Sequence, residues 1–187
     1  MTFLAKPAVI KVRVALKKSG LKDSVMELEQ TAKTAVEAAS ALGCPVGAII
    51  KSLVFVIDRR MVMALVAGDH RCIQDNLPTA FNIKGSVRKA NAGEVKDITG
   101  FTIGGVSPVG LTNPLPIVID RSLKRFDDLF AAGGHPHAVF PIAFNDLQRM
   151  TDGIVSWNIA KPDQDIPAKN APLKRSATFL KGKIREK

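Results

Sequence analysis

The chain has no tyrosine, one tryptophan and two cysteines in 187 residues, and aromatic side chains make up 5% of it. Two cysteines, Cys44 and Cys72, provide no disulfide framework, which fits a reducing compartment and a cytoplasmic location. No apolar run approaches the ~20 residues that a membrane-spanning helix needs. Lys6, Lys11 and Arg13 interrupt the apolar residues at the start, unlike the core of a secretory signal. Cys-x-x-Cys and His-x-x-x-His spacings are absent, so His70-Arg71-Cys72 and His135-Pro136-His137 read as incidental surface residues, and no metal or other cofactor is expected. There is no internal repeat, and no helix-turn-helix, zinc-finger or RNA-recognition signature.

What is present suits one compact unit. At 187 residues and 46% hydrophobic composition the chain can fill one core and is too short for two ordinary domains. The net charge of +10 is concentrated at the ends: residues 1–22 carry +6, residues 161–187 carry +5, and residues 23–160 are nearly neutral at −1. Basic ends attract polyanions such as nucleic acid, and they also serve solubility; charge alone leaves both readings open.

Pattern and punctuation predict a first helix from Pro7 to Leu21, with Gly20 near its stop. Periodicity over Val25 to Leu42 suits one long helix. Strands 49–57 and 61–67 form a hairpin about Asp58-Arg59-Arg60. Asn91 and Glu94 read as a capping pair for a short helix closed by Gly100. Ile117 to Ile119 reads as a buried strand, and Asp120 as the cap of a helix with Leu123, Phe126, Leu129 and Phe130 on its apolar face and Gly133 at its end. Strand 138–144, a helix capped by Asn145 and strand 154–159 complete an α/β domain with a mixed β-sheet surrounded by helices. Pro162, Pro167 and Pro172 then mark a linker-like tail, giving a domain over 1–160 and a basic tail over 161–187 that is expected to move in isolation.

Lys51 is the residue out of place. It lies in Ala48 to Ile57, where Ile49, Leu53, Phe55 and Ile57 alternate with Ile50, Val54 and Val56 as in a strand covered on both faces. An ammonium there must reach solvent at the strand's start, pair with an anion or line a pocket. About fifty residues on, Gly104-Gly105-Val106-Ser107-Pro108 forms a loop whose glycines let a ligand approach the main chain and whose proline stiffens its exit.

These residues, with Thr31-Ala32-Lys33-Thr34-Ala35, Ala38-Ala39, Leu42-Gly43, Val66-Ala67-Gly68-Asp69, Thr99-Gly100-Phe101 and Ala131-Ala132-Gly133-Gly134 ahead of Ala138-Val139-Phe140, resemble the YbaK family. These are free-standing editing proteins related to the editing insertion domain of bacterial prolyl-tRNA synthetase. The resemblance covers roughly residues 20–160, and in place of one long helix over Val25 to Leu42 it implies a short strand around Val25 to Glu29 followed by a helix from about Thr31 that Gly43 ends, the favoured reading. The chain departs from it in having Gly110-Leu111 where many relatives carry a histidine, and in its basic tail.

The resemblance implies a deacylase that hydrolyses the ester between a wrong, small amino acid (Ala, Ser, Thr or Cys) and the terminal adenosine of a tRNA, with tRNA-Pro favoured. No side chain is an obligatory nucleophile, and the substrate's own ribose hydroxyl helps to position the water. Lys51, Gly104, Gly105 and Pro108 are the expected catalytic residues: the loop N–H groups face the developing oxyanion, and Lys51 is an electrostatic clamp rather than a base. Ser52, Val106, Ser107, Gly134 and His135 are the expected substrate contacts. Lys174, Arg175, Lys181 and Lys183 in the tail are expected to meet the tRNA body. The partner is aminoacyl-tRNA, with an aminoacyl-tRNA synthetase left open as a second. The competing reading is a non-catalytic nucleic-acid-binding module, which gives Lys51 no reason to sit in a core strand.

Overall fold

A computed structural model describes residues 2–166 of the chain. Lys174, Arg175, Lys181 and Lys183 lie outside these residues. A 3-10 turn at Phe3–Ala5 leads into α1 (Pro7–Lys18), which has Pro7 in its first turn and buries Val9, Val12 and Leu16. It stops before the expected Leu21, and Gly20 beyond it takes a left-handed φ of 76°. Next come β1 (Met26–Glu27) and α2 (Ala35–Leu42). Helix α2 begins later than Thr31 because Thr34 and Glu37 form a reciprocal capping box, and Gly43 ends it in the left-handed region.

The two-residue turn Asp58-Arg59 joins β2 (Ile50–Ile57) to β3 (Arg60–Ala67), with Ile57 paired to Arg60. Then follow β4 (His70–Cys72), α3 (Leu77–Ala80), β5 (Val87–Lys89) and α4 (Ala92–Thr99), the last capped by Asn91 with Glu94 and closed by Gly100. The chain continues through β6 (Ile117–Asp120), β7 (Leu129–His135), β8 (Ala138–Ile142), α5 (Phe144–Thr151), β9 (Ile154–Ser156) and β10 (Ala160–Pro162).

A five-stranded mixed sheet in the order β5-β2-β3-β6-β9 organises the molecule. Strand β2 is antiparallel to β5 and β3, whereas β3, β6 and β9 run parallel. Alternation along β3 serves two cores: Met63, Leu65 and Ala67 pack on one side with Phe101, Leu129 and Phe140, and Val62, Ala64 and Val66 on the other with Phe55 and Leu77. Truncating one such fully buried leucine to alanine costs about 2–5 kcal/mol. A smaller antiparallel sheet, β1-β8-β7, packs against α1 and β2, and β4 pairs with β10.

Several expectations are corrected. The segment after Asp120 is not a helix through Phe130: Asp120 does accept a hydrogen bond from the Ser122 N–H, but it caps only a 3-10 turn, Arg121–Arg125. Leu129 onward is strand β7, in which the buried Leu129 and Ala131 alternate with the partly exposed Phe130 and Ala132 before the buried pair Gly133-Gly134. The apolar residues had fitted a helical stripe, but the segment is short enough for periods of two and 3.6 to overlap. Gly133 instead lies inside β7, in the irregular stretch between Ala132 and His135 where the register with β8 shifts, and a Cβ on it would lie 3.1 Å from the Ala138 main chain. Ala143, not Asn145, occupies the cap position of α5, and Asn145 lies in its first turn. Strand 154–159 breaks at Ser156, and Trp157 and Asn158 are exposed before β10 begins. The expected boundary near residue 160 falls inside β10, and Asp163 and Ile166 continue the fold through main-chain hydrogen bonds of Asp163 N–H to Asp69 and of Ile166 N–H to Asp163.

Candidate active site

A cleft of about 520 Å³ opens along the first half of β2. It exists because β5 pairs only with Phe55 to Ile57, and its last contact is the Ala90 N–H donating to the Val54 carbonyl. Residues 51–53 thus form an open edge on a strand that is interior further along. Alternation of main-chain direction turns the Ser52 N–H and C=O toward the same side as the Val54 carbonyl, into the cleft. The Ser52 hydroxyl is also buried, without a hydrogen-bond partner among the described residues.

Lys51 is half-buried in this cleft, and its Nζ donates to the His70 carbonyl. Burial pushes its pKa below the ordinary lysine range, against the opposing pull of Asp163 and Asp69. An ammonium has three donors, and among the described residues two of them have no partner and are open to an incoming oxygen. Behind it, Asp69 accepts from Arg125 at 2.7 and 3.0 Å and lies 2.7 Å from Nδ1 of His70. Burial alone would raise the Asp69 carboxyl, but the Arg125 and His70 hydrogen bonds outweigh it and hold it below the usual carboxylate range.

The facing wall is the Ile103 to Val106 loop. The Gly105 N–H donates to the Thr102 carbonyl at 2.9 Å and is therefore committed to the loop itself. Gly105 packs against main chain: a Cβ on it would lie 2.8 Å from His135 Cα and 2.9 Å from His135 N. Gly104, at φ 92°, and Val106 line the cleft, and among the described residues their N–H groups donate to no other residue. Ser107 is fully buried, its hydroxyl accepting from the Val109 N–H at 3.2 Å, as an ordinary turn serine does.

His135 lines the far end, with Phe3 stacked on it at 4.5 Å and on His137 at 4.3 Å. Burial, with His137 and Lys6 nearby, lowers the His135 pKa. Its Nδ1 accepts from the His137 N–H at 3.2 Å, which assigns the ring proton to Nε2.

The fold thus brings Lys51, Ser52, Gly104, Val106 and His135 around one cleft, while Gly105, Ser107, Pro108 and Gly134 stand behind its wall. Gly134, at φ 94°, is closed in by Ala8 and Phe101. Sequence reasoning missed the Asp69–Arg125 pair and Ile166, which also lines the cleft. Nothing short of the fold connects Asp69 to Arg125 across 56 positions. Burial raises the Cys44 and Cys72 thiols to about 12 and about 11, which leaves neither as a nucleophile near neutrality. Among the described residues no three His, Cys, Asp or Glu side chains converge on a metal position, and no helix is long and apolar enough to cross a membrane.

This architecture, a mixed sheet in which strand β2 and a Gly-Gly loop line one cleft with a lysine in it, is that of an editing domain. Residues 29–150 match the family model of the aminoacyl-tRNA editing domain, and the chain belongs to that family. It is 31% identical over 140 residues to the uncharacterized protein YwhH of Bacillus subtilis (strain 168), covering 74% of this chain and 88% of that protein. It is 27% identical over 146 residues to the proline--tRNA ligase of Lactobacillus helveticus (strain DPC 4571), covering 78% of this chain but only 26% of the ligase. A solved structure of a candidate trans-editing enzyme for prolyl tRNA synthetase superimposes with a TM-score of 0.77 at 37% identity, covering 84% of this chain and 99% of that one.

Proposed function

We propose that the protein is a trans-acting deacylase that hydrolyses the ester of a small amino acid mistakenly joined to a tRNA, with tRNA-Pro the favoured carrier. The observation that carries this reading is the cleft itself. A half-buried ammonium, two of whose three donors have no partner among the described residues, lines the same space of about 520 Å³ as the open Ser52 edge, Gly104 and Val106, a size suited to a small ligand.

In this mechanism water adds to the ester carbonyl carbon and gives up a proton to solvent, and the carbonyl electron pair moves onto oxygen. The Gly104 and Val106 N–H groups stabilise that oxyanion, each such donor contributing about 2.7–4 kcal/mol to the rate. Collapse breaks the acyl carbon–oxygen bond, and the departing ribose oxygen takes a proton from solvent. The products are a free amino acid and a tRNA with its terminal hydroxyl restored. Lys51 clamps an anionic or carbonyl oxygen of the substrate. The committed Gly105 N–H moves out of the catalytic set and the buried Ser107 out of the substrate contacts, both into support of the wall.

The editing unit extends to about residue 166 and the basic tail beyond it contacts the tRNA body, in the cytoplasm where tRNA is charged. Deacylation of a panel of mischarged tRNAs, with Lys51→Ala as control, tests the reading. Hydrolysis of at least one alanyl, seryl, threonyl or cysteinyl ester that the variant loses supports it. Tight tRNA binding with no hydrolysis of any of them would establish the non-catalytic binding module instead.

A further inference from the structure

A second pocket, of about 430 Å³, lies beyond the Asp69–Arg125 pair and is lined by His70, Arg121, Ser122, Lys124, Arg125 and Trp157. Its position follows from topology. Asp69 lies just past the end of β3, Arg121 immediately follows β6, and Trp157 immediately follows β9, so the carboxyl ends of three adjacent parallel strands meet there. Open α/β sheets bind ligands outside such ends. Lys51, paired with Val66 near the end of β3, lies at the same end of the sheet. His70 joins the two sites, because its ring lines this pocket while its carbonyl holds Lys51.

Trp157 is 76% exposed, and the Arg121 guanidinium carbon lies 2.8 Å from its ring centroid. Nη1 of Arg121 is shut off from solvent and makes no hydrogen bond among the described residues. Arg125 is neutralised by Asp69, and Asp120 is buried, accepting from Ser122 and from the Ala67 N–H. Among the described residues neither Arg121 nor Lys124 makes an ion pair, so two cations stand against the single carboxylate of Asp120 in the pocket, beside an indole with one free face.

We propose that this pocket binds an unpaired nucleotide of an RNA strand, its base stacked on the free face of Trp157 and its phosphate held by Arg121 and Lys124. Indole stacking accepts any base, and a guanidinium beside it adds phosphate recognition without sequence preference. The proposal rests on the deacylase reading only for the identity of the strand, the single-stranded acceptor end whose last residue occupies the Lys51 cleft.

The chain has one tryptophan and no tyrosine, so its indole emission reports on Trp157 alone. Titration with a short single-stranded oligoribonucleotide should quench that emission saturably, whereas a blunt duplex of the same sequence should not. Arg121→Ala and Trp157→Ala should each weaken binding of the labelled single strand, followed by anisotropy, about tenfold. Trp157→Phe should retain most of the affinity. Unchanged anisotropy titrations in Arg121→Ala and Trp157→Ala, or emission that responds to a synthetase and not to RNA, would overturn the assignment. The oligonucleotide carries no ester, so quenching together with absent deacylation would refute the proposed function and leave this site standing.

Discussion

Lys51 on β2 donates its Nζ to the main-chain carbonyl of His70, the first residue of β4. This bond fixes the direction of the ammonium by main chain alone, and among the described residues no carboxylate neutralises it at contact distance. It also couples the cleft to the last described residues: β4 pairs with β10, and Arg71 on β4 is bridged to Asp163 and Asp165. The chain beyond residue 160 thereby supports the strand that orients the clamp.

Lys51→Ala should lower deacylation by at least tenfold, or about 1.4 kcal/mol of transition-state stabilisation. It should leave the denaturation midpoint nearly unchanged, since the desolvated ammonium disappears together with its single hydrogen bond. Steady-state kinetics on the best mischarged tRNA check the first expectation, and equal turnover by variant and wild type would remove Lys51 from the mechanism.

Gly105→Ala should cost stability as well as activity. The new Cβ would lie 2.8 Å from His135 Cα, against main chain that cannot rotate away. Overpacking of this kind costs about 1–3 kcal/mol. Urea unfolding measures it, and a wild-type midpoint would show that the wall yields freely.

Most of the sheet was legible in the sequence because its signals are local. The β2–β3 hairpin has apolar residues on both faces, and Asn91 with Glu94 and Gly43 mark helix ends through chemistry confined to one turn. Lys51 was legible for the opposite reason, as a residue that its neighbours cannot explain. Segment 123–133 was misread because Leu123, Phe126, Leu129 and Phe130 satisfy a helical stripe, and only pairing with β8 decides for a strand. Within the site, spacing identified the glycine loop but not the division of labour in it. That Gly105 spends its N–H on Thr102, and that β5 stops at Phe55 and leaves Ser52 open, are consequences of register.

Ser52→Ala tests that open edge. Removing a buried hydroxyl that has no partner among the described residues should leave stability unchanged or raise it by up to about 1 kcal/mol. If the hydroxyl is satisfied by substrate, the same change should raise KM for mischarged tRNA, with kcat the smaller effect. Thermal unfolding and initial rates separate the two, and a destabilised variant would mean that the hydroxyl already has a partner.

Acid should weaken the entry to α4 in a defined window. Hydrogen bonds from Arg88 and from the Asn91 N–H lower the Glu94 carboxyl from 4.5 to about 2. The folded pKa lies below the unfolded one, so this contribution is complete above the unfolded value and is lost as pH falls through about 2. Glu94→Gln keeps an acceptor for the cap but has no charge. The stability difference between wild type and variant should be constant above about pH 4.5 and shrink steadily below it. A difference independent of pH across this range would exclude the ion pair as its source.

Truncation after Ile166 separates the tail from the fold more cleanly than a cut at residue 160, which would sever β10. Residues 167–187 carry seven basic side chains and one acidic, a charge of +6, against +4 on residues 1–166. Their removal should leave the unfolding midpoint in place, weaken tRNA affinity, and flatten the dependence of log affinity on log salt by roughly 0.7–0.9 for each phosphate that the tail neutralises. Turnover at saturating tRNA should persist, because binding that is equal in the ground and transition states changes KM and not kcat. Unchanged affinity and salt slope in the truncated protein would shift the electrostatic contact to the cluster from Lys6 to Lys22 and leave solubility as the role of the tail.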